Sequence, residues 1–542
     1  MPRYRTALYR TCCAPLFVLL VACIFVHLTG GRAQAASAFG ARPAWVIAWK
    51  ACPPGSVAAL AGFNCLSIDV PLDYRYPNGP SIKLAVVNHP ATDRAHRIGT
   101  LFVNPGGPGG AGTVDIPGWI GYFPPALVQR FDIASWDPRG IGSSTAVQCF
   151  PNANAEARFL GDNADFPPTE ADQASYIETW LGFGRHCFAF SGSLLEHTST
   201  ADTARDLETL RRRIGEGKIN YLGLSYGTYL GATYVNLFPD NLRAVVLDGN
   251  VAPSAWTATG PGGNSQSLSA RIGTDVLTAR VFNDFLNLCG QTDVAHCAFS
   301  AGSPAATRAR WEALAARLRQ GPIFLSGTKK IAYATLIDQI QSAALIVVQP
   351  HVNPLSPEQG STGWPGIAAA FESLWQARNN PPVPLPTPPP SSKTTPPYGG
   401  AESFYTVACG DAPVPPTAAF PRLSAKAEQR AGPFGLAAVW LDEPCSSWPI
   451  HTQNGYAGPF NHWTSTPILV IGNYGDPSTP YADAVAMSRE LARARLLSVD
   501  GYGHTVFLNP SSCANAAMTA YYISGTLPAP GTVCREDRRP FQ

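Results

Sequence analysis

The chain has 542 residues, with 39 Lys+Arg against 37 Asp+Glu, 45% hydrophobic residues and only 14% charged ones. So low a charge density argues against a nucleic-acid binder, which needs a basic face for counterion release, and the apolar content argues against a wholly disordered chain. The length holds one large domain or two to three ordinary ones. In chain order, Arg3, Arg5 and Arg10 precede an apolar stretch from Ala14 to about Leu28, then Thr29-Gly30-Gly31 and Ala33-Gln34-Ala35-Ala36. That order predicts a secretory signal peptide over residues 1–35, cleaved near Ala35. A membrane anchor is the alternative, but the run is short of the roughly 20 residues needed to span a bilayer. Leu20-Val21-Ala22-Cys23 also resembles a bacterial lipoprotein box, which would lipidate Cys23 and hold the protein at the cell envelope. Removing residues 1–35, with four arginines and no acid, takes the formal charge from +2 to −2. The ten cysteines beyond residue 35 predict disulfides in an exported chain, and pairing in sequence order is the simplest connectivity.

Residues 36–64 read as a Gly/Pro/Ala-rich lead-in. Leu66–Val70 alternates apolar and polar residues as a half-buried strand does, and Ile82–Val87 makes an antiparallel partner across the Tyr76–Pro80 turn. Thr100–Val103 and Phe131–Trp136 are short apolar strands. Thr200–Ile214 is an amphipathic helix with Asp202 as its candidate cap. Ile219–Leu222, the helix Tyr226–Phe238 and Ala244–Leu247 complete βαβ units, which predict a mainly parallel sheet flanked by helices. Residues 256–455 break the rhythm with helical stretches at Thr274–Leu288, Ala305–Leu318 and Leu336–Val348 and read as an inserted, largely helical cap. Within the cap, the proline-rich run 380–397 reads as an extended surface loop, or less simply as a ligand for an SH3-type domain. The rhythm returns after Asn461 with Pro467–Ile471, a helix over Tyr481–Ala494 and a last strand at Arg495–Val499. Core segments are thus expected at 36–255 and 456–542.

Gly223-Leu224-Ser225-Tyr226-Gly227 has the form G-x-S-x-G between a strand and a helix, the context that gives the motif meaning. At so tight a turn the residues two before and two after must be small, and Ser225 projects at the carboxyl end of the sheet as a candidate nucleophile. A serine hydroxyl needs a base. Of ten histidines only His504, in Gly501-Tyr502-Gly503-His504-Thr505, follows the last predicted strand. The base in turn needs an acid to fix its tautomer. Asp476, after the strand Pro467–Ile471, gives the order Ser, Asp, His. Asp248, at the end of Ala244–Leu247, is the rival. The glycine run Asn104–Gly110 offers backbone N–H groups for an oxyanion, with Gly107 N–H and Tyr226 N–H the expected donors. Asp137-Pro138-Arg139-Gly140 is expected to brace that loop. No phosphate loop and no metal-site spacing occurs, so no cofactor or metal is expected.

Together, Gly106-Gly107-Pro108-Gly109-Gly110, Asp137-Pro138-Arg139-Gly140, Gly223-Leu224-Ser225-Tyr226-Gly227-Thr228-Tyr229, Cys409-Gly410-Asp411, Cys445-Ser446-Ser447-Trp448-Pro449, Asp476-Pro477 and Gly503-His504 resemble the α/β-hydrolase proline-iminopeptidase-like serine peptidases. Within these they resemble the secreted tripeptidyl aminopeptidases of actinobacteria with a TAP-like carboxyl-terminal segment. The resemblance spans about residues 52–535 and departs at the proline-rich run. It implies an α/β-hydrolase fold, a peptide substrate, and release of short peptides from free amino termini through a Ser-His-Asp triad and an acyl-enzyme. It also implies an anionic pocket for the substrate ammonium, for which Glu402, Asp411, Asp442 and Glu443 are candidates. Each of these reads, on its own, as an ordinary surface carboxylate. A carboxylesterase or lipase using the same machinery is the alternative, and a non-enzymatic envelope-binding protein on this scaffold a further one. An Asp-nucleophile dehalogenase or epoxide hydrolase is disfavoured by Ser225.

Overall fold

A computed structural model describes residues 49–163, 165–325, 329–343, 347, 363–380 and 398–542. The expected signal segment 1–35, with the lipoprotein alternative at Cys23, and nearly all of the proline-rich run 380–397 lie outside the described residues.

Among the described residues the strands are β1 (Lys50–Ala51), β2 (Asn64–Pro71), β3 (Ser81–His89), β4 (Gly99–Asn104), β5 (Phe131–Trp136), β6 (Ile219–Leu224), β7 (Leu242–Asp248), β8 (Ile323–Leu325), β9 (Lys329–Ile331), β10 (Ile468–Gly475), β11 (Ala494–Tyr502) and β12 (Val533–Arg535). Ten form one sheet in the order β1-β2-β3-β5-β4-β6-β7-β10-β11-β12, while β8 and β9 make a separate hairpin. The first three pairings, β1/β2, β2/β3 and β3/β5, are antiparallel, and every later one is parallel. This is the mainly parallel, helix-flanked architecture that the alternating pattern predicts. β4, β5 and β6 are buried at every position, because a parallel strand covered on both faces has no solvent side to mark with polar residues. Successive residues feed opposite cores: Phe102, Trp136 and Tyr221 on one face, Leu101, Val103, Ile133 and Leu222 on the other.

Several boundaries differ from expectation. The lead-in holds β1 and a short helix, Val57–Leu60. The helix Thr200–Arg213 is capped by Ser199, whose hydroxyl accepts the Asp202 N–H, so Asp202 sits in the first turn rather than at the cap. The cap-region helix expected at Leu336–Val348 runs Tyr333–Ala343, and Tyr481–Glu490 ends short of Ala494. β11 is not the last strand, since β12 adds to the edge. Among the described residues, five disulfides join the cysteines in sequence order: Cys52–Cys65, Cys149–Cys187, Cys289–Cys297, Cys409–Cys445 and Cys513–Cys534. The last ties β12 to the helix Ser512–Ser524.

Between β7 and β10 the described chain is mostly helical, built on Thr274–Gly290, Pro304–Arg319 and Phe420–Asp442, whose Phe282 and Phe434 pack 5.0 Å apart. No helix of the described residues is long and apolar enough to cross a membrane.

Candidate active site

The carboxyl ends of the parallel strands bring the site together. Leu224 on β6 pairs with Asp248 on β7, and Asp248 pairs with Ile471 on β10, so three chain crossings stand in one row across the sheet. Ser225 follows Leu224 directly, and Asp476 follows the last residue of β10.

Ser225 occupies φ 57°, ψ −128°, a conformation that costs a non-glycine residue about 1–3 kcal/mol. Its surroundings hold it there. Its N–H donates to the Asp248 carbonyl at 3.0 Å, while the Thr228 N–H and hydroxyl both donate to its own carbonyl, at 2.8 and 2.6 Å. A Cβ on Gly223 would fall 2.2 Å from the Gly227 carbonyl, which is why the turn needs a glycine there. Helix Tyr226–Leu237 begins at once, so the Tyr226 N–H has no preceding turn to bond.

The glycine run lies on this turn. Gly106 has φ 96°, and a Cβ there would stand 2.4 Å from the Leu224 carbonyl and 2.8 Å from Ser225 Cβ. Asn104 Oδ1 accepts the Gly106 N–H at 3.1 Å, and the Gly106 carbonyl accepts the Gly110 N–H at 3.0 Å. Neither Gly107 N–H nor Tyr226 N–H has a hydrogen-bond partner among the described residues. Behind the loop, the Asp137 carboxylate accepts the Thr113 N–H at 2.8 Å and the Ser143 N–H at 2.7 Å, tying the helix after the glycine run to the turn after β5. Arg139 is fully buried and forks onto Asp206, with Nε to Oδ2 at 2.8 Å and Nη2 to Oδ1 at 2.7 Å.

Asp476 is fully buried. Its Oδ1 accepts the Ser478 and Thr479 N–H groups, both at 2.9 Å, and its Oδ2 accepts the Thr479 hydroxyl at 2.8 Å and the Thr505 N–H at 3.2 Å. With its lone pairs so held, the carboxylate presents both oxygens to His504 Nδ1, at 3.0 and 2.9 Å. The Thr479 hydroxyl also lies 3.2 Å from that nitrogen. Burial of the imidazole alone would push its pKa down. The Asp476 charge and hydrogen bond, with the Asp248 charge behind them, overcome this and leave the His504 pKa raised. The ring stands over the turn after β7: a Cβ on Gly249 would sit 3.2 Å from His504 Cε1. Among the described residues, Ser225 Oγ and His504 Nε2 have no hydrogen-bond partner.

The structure thus brings Ser225, Asp476, His504, Gly107 and Tyr226 to one edge of one sheet. Asp248 is there too, but it binds the Val506 and Phe507 N–H groups at 3.0 and 2.8 Å, and Asp476 holds the imidazole. Thr479 was not singled out by sequence reasoning; an Asp-x-x-Thr spacing at a helix start is the signal that points to it.

The four candidate carboxylates, Glu402, Asp411, Asp442 and Glu443, are not exposed. Glu402, Asp442 and Glu443 are buried. Asp411 accepts the Thr200 N–H at 2.8 Å, and Asp442 the Ser269 N–H at 2.7 Å, each satisfying a helix start. Glu402 faces Glu156, and one oxygen of each has no hydrogen-bond partner. Burial, and then the Glu156 charge, push Glu402 up to about 9. Neither carboxylate oxygen of Glu443 has a partner, and burial pushes it up to about 7. Ser403, next in the chain to Glu402, packs its backbone on the glycine loop: a Cβ on Gly109 would lie 2.4 Å from the Ser403 carbonyl.

Comparison with known proteins agrees with this architecture. Residues 99–285 match the family model described as alpha/beta hydrolase fold, and residues 432–534 the one described as TAP-like protein. The chain is 29% identical over 504 residues to a tripeptidyl aminopeptidase of Streptomyces lividans, covering 88% of this chain and 84% of the relative. It is 27% identical over 556 residues to the serine protease Hip1 of Mycobacterium tuberculosis, covering 96% of each. It is 29% identical over 528 residues to a protein of the same organism named carboxylesterase B, covering 90% and 89%. The elbow, the glycine loop and the carboxyl-terminal βαβ unit fall within the two matched segments, and the chain is a hydrolase of α/β-hydrolase fold whose carboxyl-terminal segment is similar to the TAP-like proteins.

Proposed function

We propose that the protein is an exported serine peptidase that removes short peptides from free amino termini. Ser225 attacks the scissile carbonyl. His504 Nε2 takes the hydroxyl proton and returns it to the leaving amine, and Asp476 holds the imidazole in the tautomer that leaves Nε2 free to accept. The Gly107 and Tyr226 N–H groups receive the oxyanion. Water then hydrolyses the acyl-enzyme by the same relay. The observation that carries this reading is the buried His504–Asp476 hydrogen bond at the same sheet edge as a strained Ser225 whose Oγ has no hydrogen-bond partner among the described residues. Export is supported by the basic-then-apolar start of the sequence and by five disulfides, which persist in oxidising compartments.

The preference for a free amino terminus is supported by the names of the peptidase relatives and by the buried carboxylates Glu402 and Glu443. Burial holds both acids protonated more readily than in water, and an ammonium placed beside either would favour its ionised form. The relative named carboxylesterase B favours ester hydrolysis as the second reading. The test is kcat/KM on matched tripeptidyl amides with free and acetylated amino termini, beside short-chain esters. The free peptides are expected to be preferred; better turnover of blocked peptides or esters refutes the aminopeptidase reading.

A pH profile follows from His504. The base must be neutral, and its folded pKa is raised above 6.5. Activity is therefore lost as pH falls through that raised value, and the acidic limb of kcat/KM is expected above pH 6.5. A limb near or below 6 contradicts the Asp476–His504 assignment.

A further inference from the structure

Asp248 is absent from the chemistry above, yet it touches both halves of it. Its backbone carbonyl accepts the Ser225 N–H at 3.0 Å. Its side chain crosses to the loop beyond His504, where Oδ1 accepts the Val506 N–H at 3.0 Å and Oδ2 the Phe507 N–H at 2.8 Å. That loop starts on β11, two strands away from β7. Its first turn is unfavourable by itself, since Thr505 has φ 61°. Three successive N–H groups, from Thr505, Val506 and Phe507, are thus taken by two buried carboxylates: the first by Asp476, the next two by Asp248.

We infer that Asp248 is a positioning residue that registers the His504 loop to the Ser225 turn, fixing where the imidazole stands over the hydroxyl, while Asp476 fixes how the ring is turned. The inference rests on the triad reading and goes beyond it. Asp248 never touches substrate; it acts through the backbone of residues 505–507. It has a second, electrostatic effect, because its charge helps raise the His504 pKa. The groups facing this pair are few. Asp476 and the Thr479 hydroxyl reach His504 from the turn after β10, and Tyr522 lies near Asp248 from helix Ser512–Ser524, held neutral by burial. Burial pushes Asp248 itself up to about 6, with the two N–H donors opposing, so it is ionised at pH 8.

Asp248→Asn keeps the volume and one acceptor, but turns an NH2 group toward one of the two backbone N–H groups. At pH 8 the full-length enzyme carrying it is expected to lose on the order of 10²-fold in kcat, the scale of a roughly 1 Å misplacement, with KM nearly unchanged. Its acidic limb is expected to move to lower pH, because a negative charge that favours the imidazolium is gone. A purely structural Asp248 would lower the melting temperature and leave kcat at pH 8 at the parent value. Should D248N misfold by circular dichroism, Asp248→Ala carries the same two readings. Wild-type kcat, or a fallen kcat with an unmoved limb, overturns the inference. Ser225→Ala run in parallel separates the failures: an inactive S225A beside a wild-type-like D248N removes only the role of Asp248, whereas an active S225A removes the triad.

Discussion

Ser225→Ala is expected to lower kcat by on the order of 10⁶-fold while leaving the melting temperature within a degree or two of the parent. The chemical half follows from having no other nucleophile at the elbow. Once Oγ is gone, His504 can only activate water, at a position the site does not organise. The stability half follows from the geometry. Ser225 Oγ makes no hydrogen bond among the described residues, so its removal orphans nothing. The turn itself is held by backbone N–H and carbonyl groups and by Thr228, all present in the variant. Alanine has the same positive-φ cost as serine, so the strain at φ 57° neither grows nor relaxes. The check is threefold: turnover of a free-amino-terminal peptide amide, covalent labelling by a fluorophosphonate, and a thermal melt. Activity and labelling should vanish together. Turnover close to the parent value would remove Ser225 from the mechanism, whatever the melt shows.

The sequence carried this elbow because its signal is local. Ile219–Leu224 is an unbroken buried strand, and a helix starts one residue after the serine. Sterics alone then require glycine at 223. The placement of Ser225, Asp476 and His504 at the carboxyl edge was legible for a similar reason, since each lies one or two residues beyond the end of a strand with its own apolar pattern. What was not legible depends on contacts between distant segments. β12 is three residues long with two of them exposed, and only its pairing with β11 and the Cys513–Cys534 bond make it a strand. Ser199 and Asp202 are both capping residue types, and the choice between them needs the direction of one hydroxyl. The burial of Glu402, Asp442 and Glu443 could not be read from residue type, because carboxylates are mostly exposed. Asp248 was seen as a rival acid. Its side chain instead reaches a loop more than 250 positions away, which no periodicity reports.

Asp476→Asn tests whether the imidazole is held by a charge or merely by a contact. Asp476 accepts from Ser478, Thr479, Thr505 and His504 without donating anything. An asparagine keeps the size but has one acceptor oxygen. If that oxygen stays toward the Ser478 and Thr479 N–H groups, the NH2 group faces His504 Nδ1, the Thr479 hydroxyl and the Thr505 N–H. The ring can then accept only by moving its proton to Nε2, which is the wrong tautomer for taking a proton from Ser225. About a 10⁴-fold fall in kcat is expected, with KM little changed, because Asp476 is fully buried behind the imidazole and touches no substrate. The fall should be steepest near neutral pH. With the charge of Asp476 removed, only Asp248 opposes the desolvation that lowers the His504 pKa, so the acidic limb should drop below that of the parent. The same variant therefore predicts two independent changes, in rate and in limb position. A D476N enzyme with near-parent kcat would leave His504 without its acid. A large fall in kcat with the limb in place would mean that Asp476 shapes the loop but does not carry the charge that the imidazolium needs.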